Sequence, residues 1–383
     1  MKNFYITILV TSLAWSAVQA QSCLPEGIRF QTQGQVDSFS IHYPGCQMIA
    51  GNVEITMQVG NLNGLQVLQT IGGDLTIISG PLLTSLQGLD NLISIGGNRT
   101  IGNDNLVFPA NPGLTDLEGL DQLATIGGAL TIQNNQALTS LNGLDNLTAV
   151  GGELLLVYNQ GLQNINALAK LDSIGGRLAI VENDGLANLS GLEHLTTIGS
   201  SIFISNNVNI ANIDALHNLT HFDGDIGIRG NNALESLYGL QNIGPVVQGL
   251  GIGGGAALTN LAGLENITTV TGNVAVGGPA LENLNGLHNL VSVGGLLEIS
   301  NNLVISDLTG LDSLHSAKHV RFAALLPGLS GPVHGAGHYP QYRYAPRRGQ
   351  PRSCRYAGGF GTDHCQPARL SRVRALTLFP VWN

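Results

Sequence analysis

The stretch that decides the fold is residues 129–152, which read ALTIQNNQALTSLNGLDNLTAVGG. Apolar residues alternate at Leu130 and Ile132 and then recur at every third position from Leu138 to Val150. Alternation is the period of a short strand, whereas a regular helix would require spacings of three and four. A spacing of three suits a chain that keeps turning and points one residue inward at each corner. The unit therefore predicts one turn of a β-rich solenoid.

The same unit recurs along the chain, and an Ile-Gly-Gly-like step marks where each copy starts. Seven of the ten intervals between starts are 24 residues, and the longest, 31, carries a seven-residue insertion between residues 103 and 112. One turn cannot bury its own apolar face, so such turns are stable only when stacked. We expect a mainly β solenoid of about eleven turns over residues 49–317. The starts are Ile49, Ile71, Ile95, Ile126, Val150, Ile174, Ile198, Phe222, Val246, Val270 and Val293.

A column of asparagines follows the strand of the repeat. Its members are Asn135, Asn159, Asn183, Asn207, Asn231 and Asn302. Stacked Asn side chains can bond the backbone of the next turn, so we interpret the column as structural. Gly255 and Pro279 replace Asn in this column, and we expect those turns to be looser.

The first twenty residues have the pattern of an export signal. Lys2 precedes an apolar run from Phe4 to about Trp15, and Val18-Gln19-Ala20 matches a small-residue cleavage site. We expect residues 1–20 to be removed and the mature chain to be secreted or held at the cell surface. No later segment offers about eighteen uninterrupted apolar residues, so the sequence predicts no transmembrane segment.

Residues 21–48 precede the first repeat and contain Cys23 and Cys46. Exported chains meet an oxidising environment, and the open end of a solenoid needs a cover. We therefore expect these two cysteines to form a disulfide that closes an N-terminal cap.

The charge distribution separates an acidic body from a basic tail. Up to Lys318 there are 7 Lys and Arg against 24 Asp and Glu, and from His319 onward there are 9 Arg against one acid, Asp363. We expect residues 318–383, which are rich in Pro, Gly and Arg, to lie outside the fold. A disordered tail and an out-of-frame segment both remain open. The acidic body would repel nucleic-acid phosphates, so the sequence argues against a nucleic-acid partner.

The stretch from Cys46 to Ile55, CQMIAGNVEI, resembles the opening of the receptor L domain, the ligand-binding β-helix of insulin-receptor-like ectodomains. Later units are similar to it in their strand, Gly-Leu corner and Ile-Gly-Gly step, over about residues 40–315. The resemblance implies a right-handed, single-stranded β-helix on the leucine-rich-repeat theme, with a cysteine closing the first turn. The plain repetition looks more like secreted bacterial repeat proteins, and no receptor signalling role is implied. The internalin-type leucine-rich repeat is a near competitor.

Few chemically reactive residues lie on the outward strand positions. Of those positions only Arg229 and Glu298 are ionisable, and they lie three turns apart. Glycoside-cleaving β-helices need clustered carboxylates or a base on one face, so we expect no enzyme and no cofactor. His217 and His221 have metal-like spacing but no third ligand nearby, so we expect no metal site.

A second column follows the Gly-Leu corner and carries acids. We expect these acids to bond the free backbone N–H groups of the turn, because calcium would need more oxygen ligands than one carboxylate per turn provides. Glu153 and Arg177 occupy one column on adjacent turns and should pair. The acids are Asp90, Asp121, Asp145, Glu193, Glu265 and Asp312.

One group of outward residues is apolar, although strand faces exposed to water usually carry Thr, Ser or charge. Contiguous apolar surface of a few hundred Å² tends to mark interaction sites in soluble proteins, so we take this group as a candidate binding face. Gly227, Gly251, Gly253 and Gly277 should continue it as a flat strip. The candidate residues are Leu155, Val157, Tyr158, Ala179, Val181 and Phe203.

These observations predict a secreted or cell-surface binding or adhesion module without catalytic activity. Its partner would be an unknown protein or glycan at the cell surface, or a second copy of the chain through self-association. Two alternatives stay open, a structural stalk or surface-coat element and a carbohydrate-active β-helix enzyme.

Overall fold

The computed structural model describes residues 21–56, 58–78, 80–103 and 110–323. The chain divides into two compact units, Met1–Ile210 and Ala211–Asn383. Both are built from parallel strands at a spacing of about 24 residues, with about twelve turns in all. The predicted mainly β solenoid is therefore confirmed. The expected export signal, residues 1–20, lies outside the described residues.

Two sheets of stacked parallel strands form the first unit. The strands are numbered in chain order, and each pairs with the strand one turn away, as Leu130 does with Leu154. The strands of the short sheet are β1 (Gln21–Cys23), β3 (Cys46–Ile49), β5 (Thr70–Ile71), β7 (Ser94–Ile95), β9 (Thr125–Ile126), β11 (Ala149–Val150), β13 (Ser173–Ile174) and β15 (Thr197–Ile198). The strands of the long sheet are β2 (Ile28–Phe30), β4 (Val53–Thr56), β6 (Leu75–Ile78), β8 (Arg99–Gly102), β10 (Leu130–Gln133), β12 (Leu154–Val157), β14 (Leu178–Val181) and β16 (Ile202–Ser205).

The N-terminal cap adds one turn to the eleven counted from the repeat. Strands β1 and β2 pair in parallel with β3 and β4, so the cap continues the stack below Ile49. Helices α1 (Gln33–Asp37) and α2 (Phe39–His42) follow β2, and the rings of Phe30 and Phe39 meet edge to face at 5.8 Å. The expected disulfide between Cys23 and Cys46 is present. The repeat pattern did not reveal this turn because its sequence lacks the Ile-Gly-Gly step.

The second unit is also built from stacked parallel strands, but here both rows of strands join in one sheet. Its strands are β17 (His221–Phe222), β18 (Asp225–Arg229), β19 (Val246–Val247), β20 (Gly249–Gly253), β21 (Thr269–Val270), β22 (Val274–Gly277), β23 (Ser292–Ser300) and β24 (Ser316–Ala323). Strand β24 pairs with β23 and extends past the expected boundary at residue 317. Residues 324–383 of the expected tail lie outside the described residues.

The backbone shape of each corner correlates with the presence of an acid from the acid column. Gly143, at φ 102°, donates its N–H to the carboxylate of Asp145 at 3.0 Å. Positive φ costs glycine little, so glycine suits this corner, and the carboxylate two residues later accepts a hydrogen bond from its N–H. The same bond joins Gly88 to Asp90, Gly119 to Asp121, Gly191 to Glu193, Gly263 to Glu265 and Gly310 to Asp312.

Turns that lack the acid are shaped differently. A 3₁₀ turn replaces the open glycine corner at Asn166–Leu168, Asp214–Leu216 and Tyr238–Leu240, where the acid position holds Ala169, His217 or Gln241. The exception is Gly286, which keeps φ at 110° although His288 stands at the acid position. Further 3₁₀ turns lie at Asn63–Leu65 and Gly80–Leu82.

Candidate functional site

The candidate binding face lies on three neighbouring strands of the first unit. In the register of the parallel strands, Leu155 lies beside Ala179, and Ala179 lies beside Phe203. Val157 lies beside Val181 in the same way. Leu155, Val157, Tyr158, Ala179, Val181 and Phe203 therefore come together on β12, β14 and β16 and at the residue that follows β12, and we call them the apolar face.

The apolar face is less exposed than the sequence suggested. Ala179 is 0% exposed and Val157 is 9% exposed, and the other four residues are half-buried. Neighbouring strands lie only about 4.8 Å apart, so a small residue between Leu155 and Phe203 is covered by both. The expectation that all six residues are open to solvent is corrected for Val157 and Ala179.

Tyr158 and Glu182 adopt a backbone conformation that is unusual for their residue types. Their φ values are 58° and 55°, in the left-handed region that favours Gly, Asn and Asp. The corresponding residues on the turns before and after, Asn134 and Asn206, have φ values of 59° and 57°. Left-handed backbone therefore recurs at this position on neighbouring turns, and among the described residues there only Tyr158 and Glu182 combine it with a poorly suited side chain.

The partly buried side chains of Tyr158 and Glu182 interact electrostatically. Burial raises the pKa of Glu182, and the nearby charge of Asp184 raises this pKa further, while a hydrogen bond from Asn206 lowers it. Burial also raises the pKa of Tyr158, with a smaller contribution from the charge of Glu182. The apolar face therefore includes a phenol, that of Tyr158, which interacts with the carboxylate of Glu182, and the two groups can donate and accept hydrogen bonds. Glu182 is a site residue that the outward strand pattern did not single out, because it lies just after the strand.

The asparagine column holds the turns of this region at fixed spacing. Asn183 accepts a hydrogen bond at Oδ1 from the backbone N–H of Asn159 at 3.1 Å and donates from Nδ2 to the carbonyl of Leu156 at 2.8 Å. Asn159 repeats both bonds one turn earlier. Every Asn in the column is at most 1% exposed, so these side chains serve the fold and are closed to a ligand.

The column has one member that the repeat alignment missed and one position that it misplaced. Asn111, after the insertion, is fully buried and donates to Oδ1 of Asn135 at 2.8 Å; its signal is that it precedes Leu114 as Asn135 precedes Leu138. Gly278, not Pro279, occupies the column, because its N–H donates to Oδ1 of Asn302 at 3.1 Å. The segment after β22 is one residue shorter than the same segment of the other turns. Counting the usual number of residues from β22 therefore gave Pro279 instead of Gly278.

Other charged residues that the sequence singled out are Glu153, Arg177, Arg229 and Glu298. Arg177 and Glu153 pair as expected, with Nε and Oε1 2.9 Å apart. Burial lowers the pKa of Arg229, and Glu298 raises it, but Glu298 itself lies 3.7 Å from Arg321. Across the described ranges no group of three or more His, Cys, Asp or Glu is arranged to hold a metal ion.

Arg99 is the most unusual charged residue in the described part of the chain. It replaces an inward aliphatic residue on β8, between Leu75 and Leu130 in register, and is 0% exposed. No described residue accepts a hydrogen bond from its guanidinium nitrogens. Burial lowers its pKa to about 9.

Among the described residues, no helix is both long and apolar enough to cross a bilayer.

Comparison with known proteins returns one family. No curated protein sequence matches the chain significantly. The family model of the Receptor L domain matches twice, at residues 45–140 and 122–209. Both matches lie in the first unit and include the strands that carry the apolar face. Residues 45–209 of this solenoid are therefore similar to the Receptor L domain.

Proposed function

We propose that the protein is an extracellular ligand-binding module, and that the apolar face with Tyr158 and Glu182 is its binding surface. The main support for this proposal is that Tyr158 and Glu182 adopt left-handed backbone on neighbouring turns. Such conformations cost on the order of 1 to 3 kcal/mol each and cluster at ligand-binding sites. The match to the Receptor L domain and the disulfide support an extracellular binding role.

Charge indicates the kind of partner. Residues 21–210 contain 4 Lys and Arg against 15 Asp and Glu, a net charge of −11. Glu182 and Asp184 add negative charge beside the apolar face. Charge complementarity steers association and selects partners, so the module binds a protein surface that presents apolar side chains ringed by Lys or Arg.

A binding array of purified extracellular proteins tests the proposal. The probe is the labelled chain, compared with the double variant Val181→Asp, Phe203→Asp. A matched control, Thr76→Asp with Thr100→Asp, adds the same charge at outward positions of β6 and β8, away from the apolar face. We expect a basic partner that the wild type and control retain, that about 0.5 M salt weakens and that the face variant loses.

Two outcomes contradict the proposal. If the face variant retains every partner of the wild type, the binding surface lies elsewhere. If the face variant loses its β-rich circular dichroism spectrum while the control keeps it, the side chains belong to the core. If the wild-type chain binds no protein of the array, the result favours the alternative function, a structural stalk.

A further inference from the structure

Strand β24 has a partner on one side only. It pairs in parallel with β23, and among the described residues no strand pairs with its other edge. On earlier turns the first inward residue of the strand donates its N–H to the next turn, as Leu250 does to the carbonyl of Asn273 at 3.0 Å. Val320 holds this position on β24 through the register of β20, β22 and β23, so its N–H points away from β23. The edge therefore offers backbone groups to one more parallel strand.

The same edge exposes two residues that belong to inward columns. Val320 and Phe322 lie in register with Leu297 and Ile299. Leu297 is 1% exposed and Ile299 is 0% exposed, whereas Phe322 is 38% exposed and Val320 is half-buried. On the first turn Phe30 holds the position of Phe322 and is 0% exposed, because the cap packs an aromatic ring against it. An apolar side chain of an added strand would cover Phe322 in the same way.

Strand β24 carries basic residues in an acidic unit. Residues 211–323 contain nine Asp and Glu against three Lys and Arg, and two of these three are Lys318 and Arg321 on β24. Arg321 lies 3.7 Å from Glu298 of β23, yet its side chain is 57% exposed. A guanidinium has five N–H groups, so Arg321 can also bind a second carboxylate. Opposite charges on facing positions stabilise neighbouring strands, and an added strand is therefore favoured when it carries an acid beside Arg321.

A second copy of the chain does not meet this requirement. Antiparallel pairing of β24 with the β24 of another copy would bring the basic residues Lys318, His319 and Arg321 of both copies together, and like charges on facing positions destabilise a sheet. The first turn of another copy is equally unsuited. Its outward residue in this register is Arg29, and its inward residue Phe30 is already buried.

We propose that β24 binds an extended acidic segment of another protein, which adds to the sheet as one more parallel strand. The segment alternates apolar and acidic residues. Two of its apolar side chains cover Val320 and Phe322, and the acid between them binds Arg321. In complexes of this kind the main-chain hydrogen bonds supply affinity and the alternate side chains supply specificity. The site lies in the second unit and does not depend on the function proposed for the apolar face.

A peptide taken from β23 tests the proposal. Residues 295–301, GLLEISN, include the segment that β24 pairs with in the chain itself, with Glu298 beside Arg321. The labelled peptide is titrated with the full chain and followed by fluorescence anisotropy, and the control peptide has Lys in place of its Glu. We expect saturable binding of the acidic peptide and at least about tenfold weaker binding of the lysine peptide, which sets a like charge beside Arg321.

Two results of this titration would overturn the proposal. Equal binding of the two peptides would show that Arg321 does not select an acid. Absence of binding at millimolar peptide would show that the edge of β24 is closed to a new strand, whether by residues 324–383 or by a second copy.

Two matched arginine variants locate the contact. Arg321→Gln removes the charge from β24, and Arg29→Gln removes a comparable charge from the first turn. Both arginine side chains are 57% exposed, and each lies within 4 Å of one Glu on the neighbouring strand. We expect Arg321→Gln to bind the acidic peptide about two- to fivefold more weakly than the wild type, and Arg29→Gln to bind it as the wild type does. Equal affinity of the two variants for the peptide would refute the assignment to β24.

Hydrogen exchange provides a readout that needs no variant. Backbone amide exchange of the wild type is recorded with and without the acidic peptide. The proposal requires the N–H groups of Val320 and Phe322 to gain protection, because they gain acceptors, while amides of the first unit exchange as before. Unchanged exchange at Val320 and Phe322 at saturating peptide would count decisively against a strand added to β24.

Discussion

Replacing Arg99 by Leu should stabilise the first unit. Arg99 stands in an inward column whose neighbours in register are Leu75 and Leu130, and its guanidinium is fully buried without an acceptor among the described residues. Burying an unpaired charge is costly. Leu restores the side chain that the column carries on both neighbouring turns.

The magnitude follows from the pKa. Burial lowers the pKa of Arg99 from the ordinary arginine value to about 9. Each pKa unit corresponds to about 1.4 kcal/mol, so the charge costs on the order of 5 kcal/mol near neutral pH. The unfolded chain binds more protons than the folded chain between these pKa values. The free energy of unfolding therefore rises as the pH increases through about 9.

Urea unfolding at several pH values measures both effects. We expect Arg99→Leu to exceed the wild type by on the order of 5 kcal/mol near pH 7, and this difference to shrink by about 1 kcal/mol between pH 8 and pH 10. The control Arg177→Leu removes a half-exposed ion pair with Glu153 and should change stability by only about 1 kcal/mol or less. A destabilised Arg99→Leu, or a difference independent of pH, would refute the reasoning.

Three further predictions concern the supports of the turns. Asn183→Ala leaves a buried N–H and a buried carbonyl without their partner and should lower the free energy of unfolding by about 3 kcal/mol in urea titration; a loss under about 1 kcal/mol would show that water replaces the amide. His288→Asp should add the missing carboxylate at the Gly286 corner and raise the melting temperature, with a gain of about 1 kcal/mol, whereas His217→Asp, at a 3₁₀ corner, should not; equal effects would contradict the corner rule. Cys46→Ser should cost about 3 kcal/mol by opening the cap loop, and an unchanged urea midpoint would count against this.

Periodicity was sufficient to predict the fold. Two strand positions and a spacing of three specify which residues point inward, and Leu130, Ile132 and their equivalents are buried. The extra N-terminal turn was not predicted, because β1 and β2 pair through backbone groups and carry no repeat signature. The shift from Pro279 to Gly278 depends on where one residue is deleted between β22 and Leu281, which a 23-residue interval leaves undetermined.

The candidate site was predicted only in part. Alternation placed Leu155, Val181 and Phe203 outward, but it does not report how far neighbouring turns cover a small residue such as Ala179. The role of Glu182 depends on a φ of 55°, a backbone property that the Asn residues at equivalent positions signal only indirectly.

The proposed binding role implies that Tyr158 and Glu182 hold strained backbone for binding and not for stability. The most direct test is urea unfolding of the double variant Tyr158→Asn, Glu182→Asn, which gives both positions the residue found at Asn134 and Asn206. We expect the free energy of unfolding to rise by about 2 kcal/mol, about 1 kcal/mol for each position relieved. A fall in the free energy of unfolding would contradict it, because Tyr158 and Glu182 would then be stabilising the fold.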